Sequence, residues 1–261
     1  MMQVYHLPFD RTPDPVIIKI YDSDHSTIKN RIVLERNMIN LVISGEKMLY
    51  HTDGNVKVNA GELILIRKGN VLTTEVKPDH ANFRSIIIYF TNELLLKFNP
   101  SFVHLQQDEF IRHYVRSLEI LLKYPGPLSD AIKLLKLEEL LVYIRERYPA
   151  AEVLPQRDED TLIQQVMENN IVTPVTVEEL AFLCNCSLSS FKRKFAKIYH
   201  TSPQKWLVEQ KLALAAQLLA SNSERPATVY LKVGYENHSS FSQAFKLRYG
   251  VRPKDYSSGM P

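Results

Sequence analysis

The C-terminal part of this chain is written twice, and that duplication limits the available folds more than any other feature. Phe191 and Phe195 recur fifty residues later as Phe241 and Phe245. In the first copy, Thr176-Val177-Glu178-Glu179 has the form of a capping box, in which the Thr hydroxyl and Glu179 satisfy the free N–H groups of a first helical turn. It predicts a short helix over Val177–Leu183 that buries Leu180, Ala181 and Leu183; the small Ala181 lets a second helix cross close by. Asn185 suits a turn needing positive φ, and Ser187 caps a second helix over about Leu188–Tyr199. In the second copy a helix is expected over Ala227–Val233, a turn at Gly234, a cap at Asn237 and a helix over His238–Tyr249. Between the copies, Ser202-Pro203 opens a longer helix running to about Ala220. Gly250-Val251-Arg252-Pro253 closes the second copy as His200-Thr201-Ser202-Pro203 closes the first. Paired short helices, repeated and bridged by one long helix, predict an all-α domain of two tandem helix-turn-helix units.

The second helix of each copy carries the chemistry. Phe191, Phe195 and Ile198 share one face, while Ser189, Ser190, Lys192, Arg193 and Lys197 lie off it. Short polar side chains in a first turn reach base edges in a major groove, and longer cations reach phosphates. Between Ser187 and Lys211 stand Lys192, Arg193, Lys194, Lys197, Lys205 and Lys211 against the single acid Glu209. The formal net charge of the whole chain is only +3, so this local excess is the electrostatic signal. A basic helix face by itself is also what solvent selects, and the Phe residues at core spacing read as packing rather than as stacking platforms for bases. Cys184-Asn185-Cys186 has no second Cys or His pair at ligand spacing, so no metal site is assigned and no cofactor is implied.

From Thr176 to Tyr256 the chain resembles the DNA-binding domain of the AraC/XylS family. The matching pieces are Glu179-Leu180-Ala181, Ser187 through Phe195, Lys211-Leu212-Ala213 with Leu218-Leu219, and the block from Val233-Gly234-Tyr235-Glu236-Asn237-His238 through Phe245-Lys246, followed by Tyr249-Gly250-Val251-Arg252-Pro253. One position departs: Tyr230 stands where the family pattern has a small residue. The resemblance implies that both recognition helices enter successive major-groove segments of double-stranded DNA. By position it assigns base contacts to Ser189, Lys192 and Arg193 in the first unit and to His238, Ser239, Ser242 and Gln243 in the second. It assigns phosphate contacts to Ser190, Lys197, Lys246 and Arg248.

The chain of 261 residues also has room for a separate first domain. β-branched and aromatic runs at Met38–Ser44, Lys47–His51, Glu62–Arg67 and Ser85–Phe90 alternate with Gly-containing turns, which predicts strands. Helices are expected over Asp108–Lys123 and Ser129–Tyr148, split by Pro125-Gly126-Pro127. The fold class is therefore α+β: a cupin-like β-barrel over about 1–100 with two following helices over about 108–148, a linker over 149–160, and the all-α domain over 161–261. The barrel resembles those that precede this DNA-binding domain. Its scaffold glycines Gly45, Gly61 and Gly69 fit cupin turns, but of the metal ligands only His51 is in place; Asp53, Arg67 and Leu72 stand where the motifs need His, Pro and His. That argues against a cupin enzyme.

Leu134, Leu137, Leu141, Ile144 and Tyr148 form an apolar stripe on the second of those helices. It is either core packed on the barrel or, as the resemblance implies for this position, a homodimer seam. No apolar run approaches the roughly 18 residues of a membrane span, and Asp10, Arg11 and Asp14 interrupt any signal-peptide pattern, so a reduced, cytoplasmic protein is expected. The function expected is a sequence-specific DNA-binding transcriptional regulator, an activator by the resemblance, working with RNA polymerase. Its first domain answers to a small-molecule effector or, alternatively, to a regulatory protein.

Overall fold

The computed structural model describes residues 3–9, 13–92, 102–147, 158–221 and 226–256. The chain divides into two compact units, Met1–Arg157 and Asp158–Pro261. Residues 149–157 of the expected linker lie outside the described residues. Its last three do not link: Asp158 accepts a hydrogen bond from the Thr161 N–H at 2.7 Å and so starts a helix at Glu159.

The first unit contains β1 (Val4–Leu7), β2 (Val16–Ser23), β3 (Thr27–Leu34), β4 (Asn37–Ser44), β5 (Glu46–His51), β6 (Gly54–Asn59), β7 (Leu63–Ile66), β8 (Gly69–Val76), β9 (Phe83–Phe90) and β10 (Phe102–Leu105). They pair as two five-stranded sheets, β1-β3-β8-β5-β6 and β10-β7-β4-β9-β2. Only β1 against β3 is parallel among these ladders. The α+β class holds, and the cupin-like barrel takes the form of two facing sheets that do not close, each keeping its own edges. Alternation along the strands explains the layering. In β4, Met38 and Val42 join Ile32, Leu49, Val58 and Val71 of the other sheet in a core between the sheets. Their neighbours Ile39 and Leu41 point the other way, into a second core with the two helices that follow. The second sheet is therefore apolar on both faces, which is why β7 reads Leu-Ile-Leu-Ile without alternation.

Those helices are α1 (Glu109–Lys123) and α2 (Asp130–Arg147). Asp108 caps α1 through the Ile111 N–H at 2.9 Å and also accepts hydrogen bonds from Tyr143 and Arg147 of α2. Phe110 and Tyr143 stack at 3.9 Å, and the Tyr114 hydroxyl donates to the Lys136 carbonyl at 2.6 Å. The apolar stripe of α2 belongs to this core. Leu137, Leu141 and Ile144 are buried against the second sheet together with Leu140, and Leu134 packs beside them. Leu137, Leu141 and Ile144 are thus covered within the chain, while Leu134 is half-buried; Tyr148 lies outside the described residues. The face of α2 left in solvent carries Ile132, Leu135 and Val142 instead.

The second unit contains α3 (Glu159–Asn169), α4 (Val177–Leu183), α5 (Leu188–Tyr199), α6 (Pro203–Ala220), α7 (Pro226–Lys232) and α8 (His238–Tyr249), with a 3-10 turn at Pro253–Asp255. Thr176 forms the full capping box with Glu179. Ser187, Ser202 and Asn237 each accept from the N–H three residues on. Phe191 and Phe195 are buried, and the Trp206 ring at the start of α6 lies 6.0 Å from Phe195. Farther along α6, Leu212, Ala215, Ala216 and Leu219 pack with Val229, Val233, Phe241 and Phe245 of α7 and α8. One helix thus serves as a wall of both small cores.

Candidate nucleic-acid interface

Each recognition helix is anchored by two Phe side chains, so the opposite face is forced outward. On α5 that face carries Ser189, Arg193 and Lys197 at four-residue steps, all exposed, with Lys192 exposed on its flank and Ser190 half-buried. Ser189 shares a hydrogen bond with the cap residue Ser187 at 3.1 Å, which holds it at the helix tip. Lys192, Arg193 and Lys197 make no ion pair with the rest of the described chain. Two other members of the basic run are spent internally. Lys194 pairs with Glu159 of α3. Lys211 is half-buried on α6, donates to the Gly234 carbonyl at 2.8 Å, and burial lowers its pKa from the usual lysine value. The cationic face is thus narrower than the sequence count implied: Lys192, Arg193 and Lys197, with Lys205 exposed at the start of α6.

On α8 the outward face carries Ser239, Gln243 and Leu247. The offset of fifty residues makes Gln243 the counterpart of Arg193, and Leu247 the counterpart of Lys197. Leu247 is 89% exposed, an outward position to which the repeat points directly although no charge or polar group marks it. His238 and Ser242 sit to the side. The His238 ring meets Tyr230 edge-on at 5.6 Å, and the Ser242 hydroxyl lies 3.4 Å from its Nε2. Tyr230, at the place of the buried Ala181, is half-buried beside the second core and supports the start of α8 through that ring contact. Lys246 and Arg248 are exposed in the last turn, with the Arg248 guanidinium 5.6 Å from the Tyr249 ring.

The two turns that aim these helices differ. In the first, Asn185 takes φ 52° and the cap Ser187 follows two residues later. In the second, Gly234 takes φ 74° and the cap Asn237 follows three residues later. Gly234 is there for space as well as for its φ, because a Cβ would lie 2.5 Å from the Val172 carbonyl oxygen. Cys184 and Cys186 beside the first turn are free thiols; burial pushes Cys184 up to about 12 and raises Cys186. In the first unit His51 pairs with Asp53 at 3.3 Å. Among the described residues no three His, Cys, Asp or Glu side chains converge on one point, and no helix is long and apolar enough to cross a membrane.

Residues 180–259 match the model of a helix-turn-helix domain family, and residues 37–155 match the model of the ExsA N-terminal regulatory domain. The HTH-type transcriptional regulator ExsA of Pseudomonas aeruginosa is 22% identical over 238 residues, covering 84% of this chain and 85% of that protein. The HTH-type transcriptional regulator AlkR of Acinetobacter baylyi is 41% identical over 83 residues, 32% of this chain and 27% of that one. The virulence regulon transcriptional activator VirF of Yersinia enterocolitica is 25% identical over 195 residues, 72% and 65% respectively. Among solved structures, ToxT from Vibrio cholerae aligns over 93% of this chain and 96% of its own, with 13% identity and a TM-score of 0.38.

Proposed function

Because the chain belongs to the AraC/XylS family of DNA-binding transcriptional regulators, we propose that each chain reads an asymmetric site of about twenty base pairs with α5 and α8, one helical turn apart. The observation that carries this reading is the pair of outward faces, Ser189-Arg193-Lys197 and Ser239-Gln243-Leu247, each braced by two buried Phe side chains. Arg193 and Gln243 are the principal base readers, with Ser189, Lys192 and Ser239 beside them. His238 and Ser242 contact the edge of the second groove segment. Lys197, Lys246, Arg248 and Ser190 hold phosphates and set the register.

The protein acts in the cytoplasm and works with RNA polymerase; its role is activation, which the name of the VirF relative, a transcriptional activator, supports. It carries out no turnover. Two chains pair through the solvent face of α2, Ile132, Leu135 and Val142, rather than through its buried stripe. A small molecule held between the two sheets controls the activity; a cavity of about 480 Å³ there supports this over control by a protein partner.

Selection of bound fragments from random DNA by the purified full chain tests the reading. The expected outcome is one enriched non-palindromic motif with two informative blocks about ten base pairs apart. Enrichment of no motif, or of a single short block, defeats it.

A further inference from the structure

The cavity in the first unit has a floor whose chemistry selects its ligand. It opens between the sheets near β1, β2 and β3 and is lined chiefly by apolar side chains, Leu7, Ile20, Ile32, Met38 and Ile87 among them. Lys19, His25, Thr27 and Asn30 interrupt that lining along β2, β3 and the turn between them, and a separate polar cluster is buried at the floor. Lys47 Nζ and Glu75 Oε1 form an ion pair at 2.9 Å with both side chains almost fully buried. The Tyr21 hydroxyl donates to Glu75 Oε2 at 3.0 Å. Thr73 is 1% exposed, lines the same cavity, and its hydroxyl has no hydrogen-bond partner. The Tyr89 ring also lines the cavity, and burial together with Glu75 drives its hydroxyl far above the usual phenol range, so it stays a neutral donor.

A buried hydroxyl without a partner costs free energy unless something fills its hydrogen bond. The ion pair fixes which kind of group can do so. Lys47 and Glu75 cancel, so the floor offers donors and acceptors but no net charge. A carboxylate or an ammonium entering it would lose its water and gain no uncompensated counter-charge. A hydroxyl, ketone or amide loses far less and is matched by the Thr73 and Tyr89 hydroxyls. We infer that this cavity takes an uncharged amphipathic ligand: an aliphatic or aromatic body against Leu7, Ile32, Met38 and Ile87, and one neutral hydroxyl, carbonyl or amide at Thr73. This rests on the reading that the first unit senses a small molecule.

The test uses the full chain and a neutral environment-sensitive dye, N-phenyl-1-naphthylamine, displaced by 1-decanol or by decanoate at pH 8. Decanol should compete about tenfold better than decanoate, the preference of a desolvated neutral floor. Thr73→Val should weaken decanol about fivefold while leaving dye binding in place, the loss of one hydrogen bond. Glu75→Gln leaves Lys47 uncompensated and should reverse the order, with decanoate now the better competitor. Ile20→Trp at the mouth should suppress binding of the dye itself. Equal competition by decanoate in the native chain, an unchanged order in Glu75→Gln, or undiminished dye binding in Ile20→Trp overturns the inference. Binding to the selected DNA is measured on the same preparations. Intact DNA binding with no dye uptake removes the cavity as a ligand site and leaves the DNA-binding function standing.

Discussion

Two glycines of the second helix-turn-helix unit offer a controlled comparison. Gly234 and Gly250 have nearly the same backbone conformation, φ 74° and 78°. Placing an L side chain there costs about 1 kcal/mol in either case. Their surroundings differ completely. At Gly250 nothing lies within 4 Å of an added Cβ, whereas at Gly234 the Val172 carbonyl oxygen is 2.5 Å away and its carbon 3.0 Å. Both obstructing atoms are backbone, so relief requires the chain before α4 or the turn before α8 to move. Forced overpacking of that kind adds about 1–3 kcal/mol. Gly234→Ala should therefore cost about 2–4 kcal/mol and Gly250→Ala about 1 kcal/mol. Urea unfolding followed by tryptophan fluorescence reads this directly, because Trp206 is the chain's only Trp and lies in α6, the helix common to both small cores. At an ordinary urea dependence the midpoint should fall by about 1–2 M for Gly234→Ala and by about half a molar or less for Gly250→Ala. Equal shifts, or a larger shift at Gly250, would refute the steric account.

The remaining predictions concern binding and assembly. Arg193→Ala should weaken binding to the selected site by about 1–3 kcal/mol and leave random DNA nearly unaffected, in gel-shift titrations of both. Lys197→Ala should weaken both equally and reduce the slope of log affinity against log salt by about one. Leu247→Lys, which copies the first unit's charge into the second, should do the opposite: tighter binding to random DNA and a slope steeper by about one. If neither substitution moves the slope, the phosphate role of this helical position is wrong. Ile144→Ala should cost about 2–5 kcal/mol of stability without changing the sedimentation coefficient of the folded protein. Leu135→Glu with Val142→Glu should leave stability intact and yield monomers; dimers that survive this double change place the pairing surface elsewhere.

The DNA-binding half was legible because its signals are local. Thr176, Ser187, Ser202 and Asn237 act on N–H groups three residues away, and the structure forms all four caps. What was hidden is what depends on distant partners. Lys194 and Lys211 look like free cations until Glu159 and the Gly234 carbonyl, 35 and 23 residues away in sequence, fold against them. In the first unit, strands β2 and β3 mix Lys, Asn and Arg among their apolar residues, and β1 is short and paired in parallel, so their period was faint. The stripe of α2 shows the same boundary. Its spacing reveals which side of the helix is apolar, but whether a sheet or a second chain covers that side is a fact of tertiary structure. The polar floor of the cavity was equally out of reach, because it gathers Tyr21, Lys47, Thr73, Glu75 and Tyr89 from four strands, β2, β5, β8 and β9.

The repeat is imperfect, and its flaws have a use. One turn is longer than the other by a residue, and a leucine faces outward where its twin presents a lysine. A molecule with two interchangeable hands grips a cord equally well either way round. One with a left and a right hand fits in a single sense, so if α5 and α8 both grip the duplex as proposed, the bound chain is an arrow that distinguishes upstream from downstream.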